Sequence, residues 1–206
     1  ASHSGEPFHL EGVRRIIKRA GLYEKDLQTP PDWPMDERVR VDYVRAGGVP
    51  ARIAMNCSGK HAAMLATCVR NDWETVSYLD PKHPLQQTIA TTVSELCGEP
   101  IANTGVDGCG APLLGVSLTG LARAFSAMAT ADPGTPERRV VGAIQSHPEW
   151  TSGTTREEAR LIRAIPGLFG KIGAEGVFAV ALDDGRAVAV KIADGAMRAS
   201  YVVLSA

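Results

Sequence analysis

Along roughly the first three quarters of the chain, apolar residues recur at the spacing of amphipathic helices. In residues 11–20 the positions Val13, Ile16, Ile17 and Ala20 follow the i, i+3, i+4, i+7 rule of one buried face, and Gly21 ends the run. The same period predicts helices over residues 61–71, 84–97, 116–129, 137–145 and 156–165. The last of these takes Thr154 or Thr155 as its N-cap and carries Glu157 and Glu158 in its first turn. Residues 28–36 hold three prolines and Trp33, which reads as an ordered surface loop, since a tryptophan generally buries part of its ring. From Gly173 the pattern becomes that of strands: residues 176–182, 187–193 and 197–204 are β-rich runs separated by the turn signals Asp183-Asp184-Gly185 and Asp194-Gly195. A helical part over about 8–165 and an antiparallel meander over about 171–206 predict an α+β fold with helices on one side of the sheet. Three strands make a thin sheet for such a load, so partner strands are expected from elsewhere.

Composition narrows the function classes. The 206 residues are 44% hydrophobic and 22% charged, as in a globular chain that buries an ordinary core. With 22 basic and 23 acidic side chains the formal charge is −1, which argues against nucleic acid or a membrane surface as a partner. The densest basic stretch, residues 14–19, alternates with isoleucines like a solvated helix face. No apolar run approaches the ~20 residues that span a bilayer as a helix. Four cysteines at irregular spacing read as reduced thiols or metal ligands, which points to the cytoplasm. Ala1 is no initiator and Ser2-His3-Ser4-Gly5-Glu6 reads like the middle of a sequence, so a leader or a whole N-terminal segment could be absent.

Candidate chemistry sits in two glycine-flanked phrases, Asn56-Cys57-Ser58-Gly59-Lys60-His61 and Asp107-Gly108-Cys109-Gly110-Ala111-Pro112. Glycine there permits a positive φ or the close approach of a ligand to the main chain. Cys57 falls at or just before a helix N-terminus, where backbone N–H groups favour a thiolate. Cys57 and Lys60 stand three apart across that helix start, and Cys109 comes from a distant loop; two thiolates and a third donor would suit Zn²⁺ with an open position. Equally, both cysteines could be small buried residues at tight turns. Cys68 and Cys97 lie on apolar helical faces and read as core. Lys171-Ile172-Gly173, just before the first predicted strand, has the Lys-x-Gly form found facing the nucleophile of serine acyl-transfer enzymes, or is a solvated lysine at a strand start. Lys191 is expected to project to solvent, and His83 and His147, each before proline, read as turn residues. Ser2, His3 and Ser4 form a polar cluster whose meaning depends on its surroundings.

Taken in order, Ser2-His3-Ser4-Gly5-Glu6, the two glycine-flanked phrases, His147-Pro148-Glu149, Lys171-Ile172-Gly173-Ala174-Glu175-Gly176-Val177 and Lys191-Ile192-Ala193-Asp194-Gly195 resemble the asparaginase II family, the thermolabile, zinc-containing serine-lysine class of L-asparaginases. The resemblance runs from Ser2 to Arg198, essentially one domain over 1–206. It implies a fold like that of serine β-lactamases and serine-dependent glutaminases, and hydrolysis of L-asparagine to L-aspartate and ammonia. It implies Ser2 and Lys171 as catalytic residues, Cys57, Lys60 and Cys109 as zinc ligands, and His61 and Asp107 as polar neighbours of the metal. The partner it implies is a small-molecule substrate, and a homodimer is compatible with it. The family's first catalytic element, a Ser-x-x-Lys ahead of the Ser-His-Ser-Gly-Glu phrase, has no counterpart in this sequence. Ile172 stands where the family often carries a hydroxyl residue. Two other readings remain: a cysteine-dependent amidohydrolase with Cys57 as nucleophile and His61 as base, and a zinc-binding remnant without turnover.

Overall fold

In the computed structural model, which describes residues 2–205, the opening helix α1 (Pro7–Arg19) starts earlier than its periodicity predicts. Pro7 occupies the first helical turn, where a missing N–H is harmless. Leu10, Val13 and Ile17 form the buried stripe, while Ile16 is 38% exposed and joins Arg14, Arg15, Lys18 and Arg19 on the solvent side. The 28–36 loop is ordered as expected: Thr29 donates to the Arg52 carbonyl at 2.7 Å, Asp32 and Ala51 form an isolated bridge, and Trp33 meets Tyr43 edge to face. Helix α2 (Glu37–Arg45) was not foreseen. Asp36 caps it by accepting from the Arg38 and Val39 amides, but none of its residues is buried, so no apolar period announces it.

Helix α3 (Ser58–Arg70) packs on α1, and α4 (Pro84–Cys97) keeps its predicted bounds. His83 is a turn residue, its Nδ1 accepting from the Leu85 amide at 3.1 Å. A two-stranded hairpin, β1 (Asn103–Val106) and β2 (Pro112–Gly115), was also unforeseen. The chain groups into two units, Ala1–Ala90 with Thr104–Leu114 and Thr91–Asn103 with Gly115–Ala206. The core of the first is Leu10, Val13, Ile17, Leu27, Leu65 and Tyr78, continuous with Cys57, Cys109 and Ala111.

The second unit contains α5 (Leu118–Ala129), α6 (Pro136–Ser146), the single turn α7 (Pro148–Thr151) and α8 (Glu157–Ala164). His147 lies between α6 and α7 as a turn residue. The cap position of α8 is Arg156, not Thr154 or Thr155, and Arg156 makes no side-chain capping bond. The antiparallel meander exists, but its members differ from those expected. It is β3 (Phe169–Ile172), β4 (Val177–Ala181) and β5 (Ala187–Lys191), in that order. Lys171 therefore lies within the first strand, not ahead of it, opposite Ala179. Gly170 hid this strand from the sequence, yet the fold needs it: a Cβ there would come within 2.8 Å of a Val180 methyl.

Residues 197–204 are not a strand. Met197–Ala199 forms a 3₁₀ turn and α9 (Ser200–Ser205) follows, because Met197, Tyr201 and Leu204, spaced i, i+4, i+7, are the residues that meet the core. Alternation would have buried Val203, which is 55% exposed. Helices also cover both sheet faces, not one. Phe178 and Val180 pack with Ile162, Tyr201 and Leu204, while Phe169 and Ala181 pack with Phe125, Ala129 and Val141. Phe178→Ala is accordingly expected to lower the urea-unfolding free energy by about 3–5 kcal/mol, whereas Val203→Ala stays within about 0.5 kcal/mol of wild type.

Candidate metal centre

The N-cap of α3 is Cys57 itself, so the first predicted donor stands at the positive end of that helix. Lys60 follows one turn later on the same side. The hairpin loop between β1 and β2 supplies the rest. The Gly110 amide donates to the Asp107 carbonyl at 2.8 Å and the Asp107 amide to the Ala111 carbonyl at 2.9 Å, closing a turn that presents Asp107 and Cys109 together. Gly110 sits at φ +87°, a conformation that side-chain-bearing residues rarely adopt, whereas Gly59 and Gly108 have no positive φ and are not required on that ground.

The two stretches meet. A sulfur of Cys57, a sulfur of Cys109 and a carboxylate oxygen of Asp107 all lie within 4.8 Å of one another. Lys60 Nζ donates to Cys109 Sγ at 3.2 Å and to Asp107 Oδ2 at 3.3 Å, and Cys109 Sγ donates to Asp107 Oδ2 at 3.2 Å. Two soft sulfurs and a carboxylate form a donor set that fits a divalent transition ion, with Lys60 Nζ beside them as a fourth.

The electrostatics follow from this crowding. Hydrogen bonding from Cys109 and the charge of Lys60 draw the Cys57 thiol down to about 6, against burial. Cys109 moves the other way, to about 12, because Cys57 and burial hold its proton while the neighbouring His61 opposes them. Burial works against the charge on Lys60, but Cys57, Cys109 and Asp107 outweigh it and leave the amine above its ordinary value. The amine therefore carries its proton here, and binding a metal through Lys60 requires the ion to displace it. Asp107 is likewise lowered, burial being outweighed by Cys109 and Lys60.

His61 is fully buried, with Nδ1 at 2.7 Å from the Tyr78 hydroxyl, which accepts from the Gln28 amide at 3.0 Å. Ser2 is drawn to the same place: the His3 amide donates to the Asn56 carbonyl at 3.0 Å, and Ser2 Oγ lies 3.9 Å from Cys57 Sγ. Burial, and after it the stacked His9, push His3 down to about 3. The neutral ring is 2.9 Å from Ser58 Oγ, whose hydroxyl donates to the Ile53 carbonyl. Cys68 and Cys97 are core residues, both raised by burial, and Lys191 is exposed. Lys171 belongs to the second unit and is half-buried and paired: its Nζ is 2.9 Å from Glu158 Oε1. Ser58, Tyr78 and Glu158 were not singled out from sequence for these contacts; a buried hydroxyl or carboxylate within an ordinary helical or turn segment has no spacing signature.

Metal-free protein is expected to gain one thiolate, read by ultraviolet absorbance, with a midpoint near pH 6. Cys57→Ser removes that transition, and Cys109→Ala, which deletes its largest cause, moves it back up toward the ordinary thiol value.

No curated protein matches the sequence. The profile of the family described as L-asparaginase II matches residues 1–206, running across both units and through every phrase that builds the cluster, and the chain is therefore a member of the L-asparaginase II family.

Proposed function

We propose that the chain is an L-asparaginase, hydrolysing the side-chain amide of L-asparagine through a serine acyl-enzyme, with Ser2 and Lys171 as its catalytic pair. The observation that carries this reading is the convergence of Cys57, Asp107 and Cys109 within 4.8 Å beside the Ser2 hydroxyl, in a chain of the L-asparaginase II family. Zn²⁺ is the ion assigned to the cluster, held by Cys57, Cys109 and Lys60 with Asp107 and His61 around it. When bound, it supplies Lewis acidity and a charge that anchors polar substrate groups.

The chain's own groups do the rest. Ser2 Oγ forms a bond to the amide carbon, the C–N bond breaks, and the hydroxyl proton leaves with the departing nitrogen as ammonia, proton transfer being the role assigned to Lys171. Water then hydrolyses the aspartyl ester. The helix and sheet content is compatible with the serine β-lactamase-like architecture that we assign to a single asparaginase II domain.

One observation favours a second reading. The depressed Cys57 thiol at a helix N-terminus has the character of a nucleophile, though His61 Nδ1 is already engaged by Tyr78. Incubation with L-asparagine and measurement of ammonia separates the candidates. Ser2→Ala and Lys171→Met are each expected to lower kcat about a thousandfold or more while far-ultraviolet circular dichroism is retained. Wild-type turnover in Ser2→Ala that disappears on Cys57 alkylation selects the cysteine mechanism, and no ammonia from the intact chain leaves a metal-binding remnant. Chelator-competition titration is expected to give one tightly bound Zn²⁺ per chain, lost in Cys109→Ala.

A further inference from the structure

The Lys171 nitrogen is held by a carboxylate that has no exposed surface. Glu158, in the first turn of α8, accepts from Lys171 Nζ at 2.9 Å and from the Ile172 amide at 3.2 Å, both at Oε1. Its Oε2 is buried without a hydrogen-bond partner among the described residues. The backbone bond matters because it ties the carboxylate to the strand that carries Lys171. The Gly173 amide donates to Val177 in β4, so by alternation the Ile172 amide points off the sheet edge, where Glu158 receives it. One end of the pair is thus fixed. The other, the Lys171 side chain, keeps 20% exposure while Glu158 keeps none.

A buried carboxylate is a costly way to satisfy a single amide, which a neutral side chain would serve as well. The charge has its use at Lys171. We propose that Glu158 is a positioning residue for the amide hydrolysis, fixing the Lys171 nitrogen and strengthening its hold on a proton. This rests on the reading of Lys171 as catalytic. Tyr201 on α9 also feels Glu158, together with Arg156 and Glu157 at the start of α8. Burial, with Glu158 adding to it, pushes Tyr201 up to about 12, so it stays a neutral phenol.

Glu158→Gln keeps the size and the acceptor oxygen and removes only the charge. Lysines reductively methylated with isotope-labelled methyl groups are followed by NMR as the pH is raised, Lys171 being assigned by its loss in Lys171→Met. In Glu158→Gln the Lys171 midpoint is expected to fall by about one pH unit or more, since an adjacent negative charge has gone. On L-asparagine, kcat falls about tenfold or more with KM within about twofold, and the limb of the kcat profile that belongs to Lys171 moves toward acid by the same interval. An unchanged Lys171 midpoint overturns the proposal without needing turnover. Wild-type kcat and pH profile in Glu158→Gln, beside an inactive Lys171→Met, overturn the positioning role and leave Lys171 catalytic. Full turnover in Lys171→Met removes Lys171 from the reaction and this role of Glu158 with it.

Discussion

Mutual neutralisation among Cys57, Asp107, Cys109 and Lys60 is the constraint on which the first unit rests. A charge buried there alone would be penalised; Lys60, Asp107 and Cys109 face one another at hydrogen-bonding distance, and the Cys57 sulfur lies within 4.8 Å of the Asp107 and Cys109 donors. That arrangement needs a helix start and a hairpin loop to arrive at one point, far apart as they are in sequence. The hydrophobic core brings them: Cys57, Cys109 and Ala111 are members of the same buried cluster as Leu65 and Tyr78. The polar cluster is therefore an extension of the core, and its geometry is as fixed as the packing behind it.

The second unit obeys the same rule with different parts. Its sheet is covered on both faces, by Phe125, Ala129 and Val141 on one side and by Ile162 and Tyr201 on the other. Between such layers a charged residue can survive only at an edge and only with a partner. Lys171 and Glu158 meet both conditions.

Much of this was legible in the sequence, and what escaped did so for physical reasons. The Cys57 and Cys109 loops announced themselves because thiols beside glycine are seldom needed for packing, and the helix after Cys57 followed from its apolar period. Helix α2 escaped because it buries nothing, and β1 because its four residues are all exposed, so neither carries a periodic signal. The final segment was misread because Tyr201, Val202, Val203 and Leu204 are individually strand-like; only knowing which of them meet Phe178 and its neighbours reveals the helical spacing. The proton that Lys60 keeps depends on Cys57, Cys109 and Asp107 together, and the last two are its neighbours in space and not in sequence. Glu158 was visible as an acidic first-turn residue, and its burial was not.

The short first strand of the three-stranded sheet has a further effect on the molecule's behaviour at high concentration. A bare sheet margin recruits other polypeptides by offering a row of backbone donors and acceptors. Phe169–Ile172 turns only two amides outward, those of Gly170 and Ile172 by alternation, and one of them is already occupied by Glu158. The margin that carries Lys171 is thus a poor template for fibril growth.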